Sequence, residues 1–204
     1  MVRVLLFFFF IFTLVEAAKA EFLPKAFEVK LTQVKKTEMG RERKEKVALK
    51  YQFPSQLNMN VVTPDQETSY ICNRSKAWMY QPPFMEGEKG TVSISNSSAS
   101  CYSKLFDAFN QGLKDNELYK VKKLADNSYD LIFSKGMAEQ LKYIKANLSF
   151  KSKKTQFENI KAIKLFTEDQ KKPDLLNVDN FEVVKGFKKT TFEFVIPPNT
   201  NIQK

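Results

Sequence analysis

The side chains that most often carry chemistry are few and scattered. Histidine is absent from the whole chain, which removes the usual Ser-His and Cys-His pairs and every imidazole base or metal ligand. Two cysteines, Cys72 and Cys101, are too few for a four-thiolate zinc site. Glu86, Glu88 and Asp107 stand near apolar segments with no partner at a defined spacing. Asp126 and Asp130 flank a turn without a calcium-loop pattern. Ser93, Ser95, Ser97, Ser98 and Ser100 sit on turns and strand edges, with no Gly-x-Ser-x-Gly elbow. No catalytic residue, metal ligand or cofactor follows from these residues. They favour a protein that holds a ligand over one that makes and breaks bonds.

The compartment comes next. Met1 to Arg3 is short and basic, Leu5 to Val15 is apolar except for Thr13, and Ala18-Lys19-Ala20 is a small-x-small site. This reads as a secretory signal peptide over residues 1–20. The apolar run is too short for a membrane-spanning helix, which needs about 20 residues. The remainder, 21–204, is expected to be a single domain of 184 residues with net charge +9, since Arg3, Lys19 and Glu16 leave with the signal. Of the 19 phenylalanines, 14 remain. An exported basic protein meets anionic surfaces, lipid head groups or acidic proteins rather than nucleic acid. In an oxidising compartment Cys72 and Cys101 can close one disulfide, and the alternative is two buried thiols. Three triplets, Asn73-Arg74-Ser75, Asn96-Ser97-Ser98 and Asn147-Leu148-Ser149, match the N-glycosylation acceptor.

The elements that must position these residues are mostly strands. Phe27, Val29 and Leu31 alternate with polar neighbours, as do Val47, Leu49, Tyr51 and Phe53, and then Leu57, Met59 and Val61. The polar stretch Lys35 to Lys46 predicts an exposed connection between the first two. Further strands are expected over 67–73, 76–80, 91–95, 118–124, 129–134, 141–150, 160–167, 180–184 and 190–196. Lys171-Lys172-Pro173-Asp174 begins an irregular stretch or short helix. One change of period stands out: Leu105, Phe106, Phe109 and Leu113 make an amphipathic helix from Ser103, with Ser100 or Ser103 as the cap candidate. That helix is either packed core or a movable lid. Short turns between strands favour a curved antiparallel sheet or a barrel, filled by side chains or open to a ligand.

Particular residues then suggest a family. Phe53-Pro54-Ser55-Gln56-Leu57-Asn58, Thr63-Pro64-Asp65 and Ala77-Trp78-Met79-Tyr80-Gln81-Pro82 resemble, in kind and spacing, a segment of the periplasmic outer-membrane lipoprotein carriers (LolA-type). Phe192 to Pro198 is similar to the closing strand of that family. The resemblance implies a mainly β fold with a helical lid, an incomplete (half-open) antiparallel β-barrel around an apolar cavity. It implies a non-enzymatic carrier in the periplasm. Such a carrier takes acylated lipoproteins from an inner-membrane ABC-type release complex and hands them to an outer-membrane acceptor. It is expected to act as a monomer with no cofactor.

On that reading the cavity wall is Leu49, Tyr51, Phe53, Leu57, Met59, Val61, Trp78, Tyr80, Phe192 and Phe194. The lid is Leu105, Phe106, Phe109 and Leu113. Two departures from the family pattern bear on the site. Phe53 stands where members often carry a lid-binding arginine, so Phe53 is expected to line the cavity instead of forming a polar latch. Glu21 to Lys25 leaves little room for the N-terminal helix that members usually have. The rival readings are a half-barrel sensor with a filled interior and a carrier of another lipid or glycolipid.

Overall fold

Alternation along the chain becomes a two-faced sheet. In the computed structural model, which describes residues 21–36, 42–96, 101–169 and 173–203, β1 (Ala26–Lys36) pairs antiparallel with β2 (Glu42–Gln52). Phe27 lies opposite Tyr51, Val29 opposite Leu49 and Leu31 opposite Val47. Residues opposed across a ladder share a face, and all six side chains are buried. Burial of this row, at roughly 25 cal/mol per Å² of apolar surface, sets the register, because a slip of one residue would turn every one of them to water. The expected signal peptide lies outside the described residues.

The sheet continues through β3 (Gln56–Val62), β4 (Glu67–Cys72), β5 (Ala77–Gln81) and β6 (Gly90–Ser95). After a helix, α1 (Ser103–Phe109), come β7 (Tyr119–Ala125), β8 (Ser128–Phe133), α2 (Lys135–Leu141), β9 (Lys145–Phe150), β10 (Ile160–Phe166), β11 (Asp174–Val183) and β12 (Thr200–Gln203). The order across the sheet is β12-β6-β5-β4-β3-β2-β1-β11-β10-β9-β8-β7. It is one open sheet of 12 strands, and β12 and β7 are its two edges. Every ladder is antiparallel except β12 on β6, which is parallel. The described residues therefore form a mainly β fold whose sheet does not close.

Helix α1 lies against one face, here called the inner face. Phe27, Tyr51, Phe106, Phe109 and Phe157 make one aromatic cluster with centroid distances from 5.1 to 6.3 Å. Phe181 stacks on Phe27 at 4.9 Å. Offset and edge-on rings at these spacings attract beyond their area burial. Tyr119 closes the helix end: its hydroxyl is shared between the carbonyl oxygens of Gly112 (2.6 Å) and Ala108 (3.2 Å). The Ala108 carbonyl also accepts from the Gln111 amide (3.0 Å), so Tyr119 joins the backbone turn that follows the helix.

Several expected elements are corrected. The helix ends at Phe109, not Leu113. Gly112 has φ +77°, a left-handed conformation that turns the chain out of the helix. No side chain caps the helix start, and the Ser103 hydroxyl is buried without a hydrogen-bond partner. The run 141–150 divides, its start belonging to α2 and the strand beginning at Lys145. The stretch expected to be irregular after Pro173 is the first part of β11, the strand that pairs with β1. The expected strand 190–196 is a 3-10 turn, Lys189–Phe192, followed by irregular chain. No helix precedes β1 among the described residues, and none is long and apolar enough to cross a membrane.

Candidate functional site

The ladders assign each expected wall residue to a face. Tyr51 opposes Leu57, Leu57 opposes Cys72 and Cys72 opposes Ala77. Leu49 opposes Met59, Met59 opposes Tyr70 and Tyr70 opposes Met79. Leu49, Tyr51, Leu57, Met59 and Val61 therefore all lie on the inner face, together with Tyr70 and Met79, which the sequence pattern did not single out.

Two cavities open on this face. One, of about 320 Å³, is bounded by Leu57, Tyr70, Trp78, Met79, Cys101 and Tyr102 among others. The other, of about 150 Å³, is bounded by Leu31, Val47, Leu49, Met59, Val61 and Phe106 among others. Most of the lining is hydrocarbon and aromatic. Tyr70 and Tyr102 line both cavities and meet edge to face at 5.6 Å. The smaller cavity has a polar rim at Gln33 and Lys35. There the Lys35 ammonium pairs with the buried Glu45 carboxylate at 3.0 Å, and Arg43 reaches the same carboxylate at 3.4 Å.

Helix α1 is fastened at both ends. Cys101, two residues before the helix, is bonded to Cys72 at the end of β4, with Cα atoms 6.2 Å apart, inside the usual range of about 4.4–6.8 Å. In the helix, the Asp107 carboxylate accepts from the Tyr51 hydroxyl (2.7 Å), the Ser55 amide (3.0 Å) and the Ser55 hydroxyl (2.8 Å). Ser55 sits in the β2–β3 turn with φ +61°, which points both its donors at one acceptor. Burial first, and the Asp107 hydrogen bond and charge after it, hold the Tyr51 phenol well above the ordinary tyrosine range. A polar latch thus exists beside Phe53, although Phe53 takes no part in it.

Of the remaining wall residues, Trp78 borders the larger cavity as expected, whereas Phe53, Tyr80, Phe192 and Phe194 border neither of the two. Phe53 lies past the end of β2, is 38 % exposed and borders neither of the two cavities. Its amide donates to the Lys25 carbonyl (2.7 Å), so the backbone turns there before the side chain can follow the inner row. Trp78 opposes Ile71, and Tyr80 opposes Ser69 and Val92. By alternation both fall on the outer face, although Trp78 also borders the larger cavity. Phe192 and Phe194 are on that face too. Phe194 packs on Tyr80 at 5.2 Å. Gln52, Asn58 and Asn73 hold the segment across the sheet through the Phe187 amide (2.9 Å), the Thr191 carbonyl (2.8 Å) and the Phe192 carbonyl (3.2 Å). This strap covers the outer face of the central strands and leads into β12. Of the expected lid residues, Leu105, Phe106 and Phe109 are buried by α1, and Leu113 follows it.

No protein-family model matches the chain. No curated protein is similar to it in sequence. In structure it is similar to an uncharacterized conserved protein from Thermus thermophilus, with a TM-score of 0.48 and 9 % identity over 89 % of this chain and 92 % of that one.

Among the described residues no three His, Cys, Asp or Glu side chains come together where a metal ion could be held. Among the tyrosines, burial raises Tyr70, with the nearby Tyr102 and Glu45 adding to it. Burial pushes the Tyr119 phenol up to about 12, and burial with the nearby Asp174 raises Tyr143. A phenol whose pKa is raised on folding stabilises the fold fully below its unfolded value, about 10, and that contribution is lost as pH rises through the folded value. Stability is expected to hold up to about pH 10 and to fall toward pH 12. Phenolate absorbance should show four late-titrating tyrosines (Tyr51, Tyr70, Tyr119 and Tyr143) until the protein unfolds. Ordinary titration of all seven tyrosines near pH 10 would contradict the buried hydroxyl contacts.

Missed residues divide by cause. Tyr70, Met79 and Tyr102 belong to the site because of the ladder β3–β4–β5 and the disulfide, which join segments far apart in sequence. Asp107 looked like an unpaired carboxylate since its partners, Tyr51 and Ser55, precede it by more than 50 residues. The one signal that could have found the face of β5 is Cys72. If Cys72 and Cys101 are joined on the inner side, the hairpin that follows puts Ala77 and Met79 inward and Trp78 and Tyr80 outward.

Proposed function

We propose that the protein is an exported, non-enzymatic carrier that shields acyl chains of lipoproteins between the inner and outer membranes of the periplasm. Helix α1 serves as the lid over the acyl-binding face. The observation that carries this reading is the pair of apolar-lined cavities on the inner face, the smaller bounded by Leu105 and Phe106 of α1 and the larger by Cys101 and Tyr102 just before it. The larger, about 320 Å³, is within the range of ligand pockets, roughly 300–1,000 Å³. Each methylene moved from water onto such walls contributes about 0.8 kcal/mol, so acyl chains supply the affinity without covalent chemistry. The signal-peptide pattern and the motifs around Pro54, Pro64 and Trp78 support the same reading. Tyr80 then shapes the carrier from outside by packing on Phe194 of the strap, while Trp78 borders the larger chamber.

The test is release of lipoprotein from inner-membrane vesicles. The mature protein is expected to hold a triacylated lipoprotein in solution and to leave its unacylated form unbound. Equal binding of both forms, or of neither, would sink the proposal. A carrier of another lipid would be recognised by lipid that co-purifies with the protein and is displaced by no lipoprotein.

A further inference from the structure

We infer that Tyr102, with Tyr70, is the partition that sets the length of hydrocarbon chain the inner face accepts. This deepens the carrier reading and rests on it. Both tyrosines line both cavities, and their rings meet edge to face at 5.6 Å. Remove that contact and the two chambers share an opening. Tyr70 is held by the sheet, in register between Met59 and Met79. Tyr102 lies outside the sheet and is 50 % exposed. It stands between Cys101, bonded to β4, and the start of α1. The backbone on both sides is therefore anchored while the ring itself can swing toward solvent. A side chain placed in this way changes the space available without moving the helix.

The occupant is an amphiphile with an alkyl tail. The smaller chamber is apolar along Leu31, Val47, Leu49 and Val61 and carries charge only at Lys35, beside Gln33. A tail lying among the former puts its head group at the latter. With Tyr102 against Tyr70 the tail ends at the partition. With Tyr102 turned out, a longer tail continues beside Met79 and the disulfide into the larger chamber.

The experiment is displacement of the fluorescent probe N-phenyl-1-naphthylamine from the mature protein by octanoic, dodecanoic and hexadecanoic acids. In the wild type, affinity should rise with length and then level off. In Tyr102→Ala the rise should continue to the longest acid, at up to about fourfold per additional buried methylene. Tyr102→Phe keeps the ring and should follow the wild type. The ring is half exposed, so the alanine variant should keep its disulfide and its thermal midpoint within a few degrees, about 4 °C or less. The same length profile in the wild type and Tyr102→Ala, with the probe bound by both, would overturn the partition and leave the carrier reading intact. Failure of the wild type to bind the probe or any of the acids would overturn both.

Discussion

Serine at both positions 72 and 101 is expected to lower the unfolding free energy by about 3–4 kcal/mol. The bond spans 29 positions of sequence, and the loop-closure entropy it removes from the denatured chain gives that figure. Because the effect acts largely on the denatured ensemble, the variant should also unfold with a steeper dependence on urea, having a more expanded unfolded state. The folded state should suffer locally as well. Cys72 is on the inner face beside Leu57, and Cys101 leads into α1, so the variant loses the covalent end of the helix attachment. Urea unfolding of the wild type, the reduced wild type and the double variant decides the matter. The last two should agree. A loss below about 1 kcal/mol would mean that the surrounding contacts, not the bond, hold this corner.

Asp107→Ala should cost about 2–4 kcal/mol, a large effect for a half-buried residue of a short helix. Three donors converge on the Asp107 carboxylate. Hydrogen bonds to a charged group contribute more than neutral ones, and the fully buried Tyr51 hydroxyl would be left without a partner. Ser55→Ala removes one of the three and should cost about 1 kcal/mol. Tyr51→Phe removes the orphaned hydroxyl itself. Combined with Asp107→Ala it should cost less than the sum of the two single changes, because the buried donor is already gone. Additive losses would show that the Tyr51 contact contributes nothing of its own. On the carrier reading the same variant also releases acyl cargo faster, since only the disulfide end of α1 stays fixed.

The two variants test the two ends of one short helix. Helix α1 has seven residues and no side-chain cap, and a helix of that length is marginal in water. Its place over the sheet comes from Leu105, Phe106 and Phe109 packed inward, from Asp107 and from Cys101. The spacing of the apolar residues foretold that a helix would lie here and which side would face the core. Gly112 marked a weak point where the helix could end, but Leu113 keeps the helical spacing beyond it, and a spacing rule does not register a left-handed turn.

Strand existence was legible where one face of a strand is apolar and the other polar. β1, β2 and β3 are such strands, and their inner residues Phe27, Val29, Leu31, Val47, Leu49, Tyr51, Leu57, Met59 and Val61 could be assigned to one side by alternation. β5 is different. Ala77, Trp78, Met79 and Tyr80 are all intermediate in exposure, because α1 and the disulfide cover one face of this region and the strap from Phe187 to Phe194 covers the other. With both faces apolar, alternation has no contrast, and Tyr80, which borders neither cavity, was placed with the wall. The strap shows the same limit. Phe192 and Phe194 alternate like a strand, yet Gln52, Asn58 and Asn73 take up its backbone groups one by one, so it crosses the sheet without a ladder.

The scarcity of reactive side chains was a property of the sequence alone. Composition settles which groups exist, so the missing histidine and the lack of a nucleophile elbow needed no coordinates. Alternation, being a local record of which side chains meet water, likewise specified a mainly β chain and one amphipathic helix. The tertiary structure decided the rest: an open sheet with one parallel edge, a carboxylate on α1 joined to a turn more than 50 residues earlier, and two tyrosines dividing the space between helix and sheet. These depend on which strands become neighbours and in what register. That choice is made by burial summed over the whole sheet, and no window of sequence contains it.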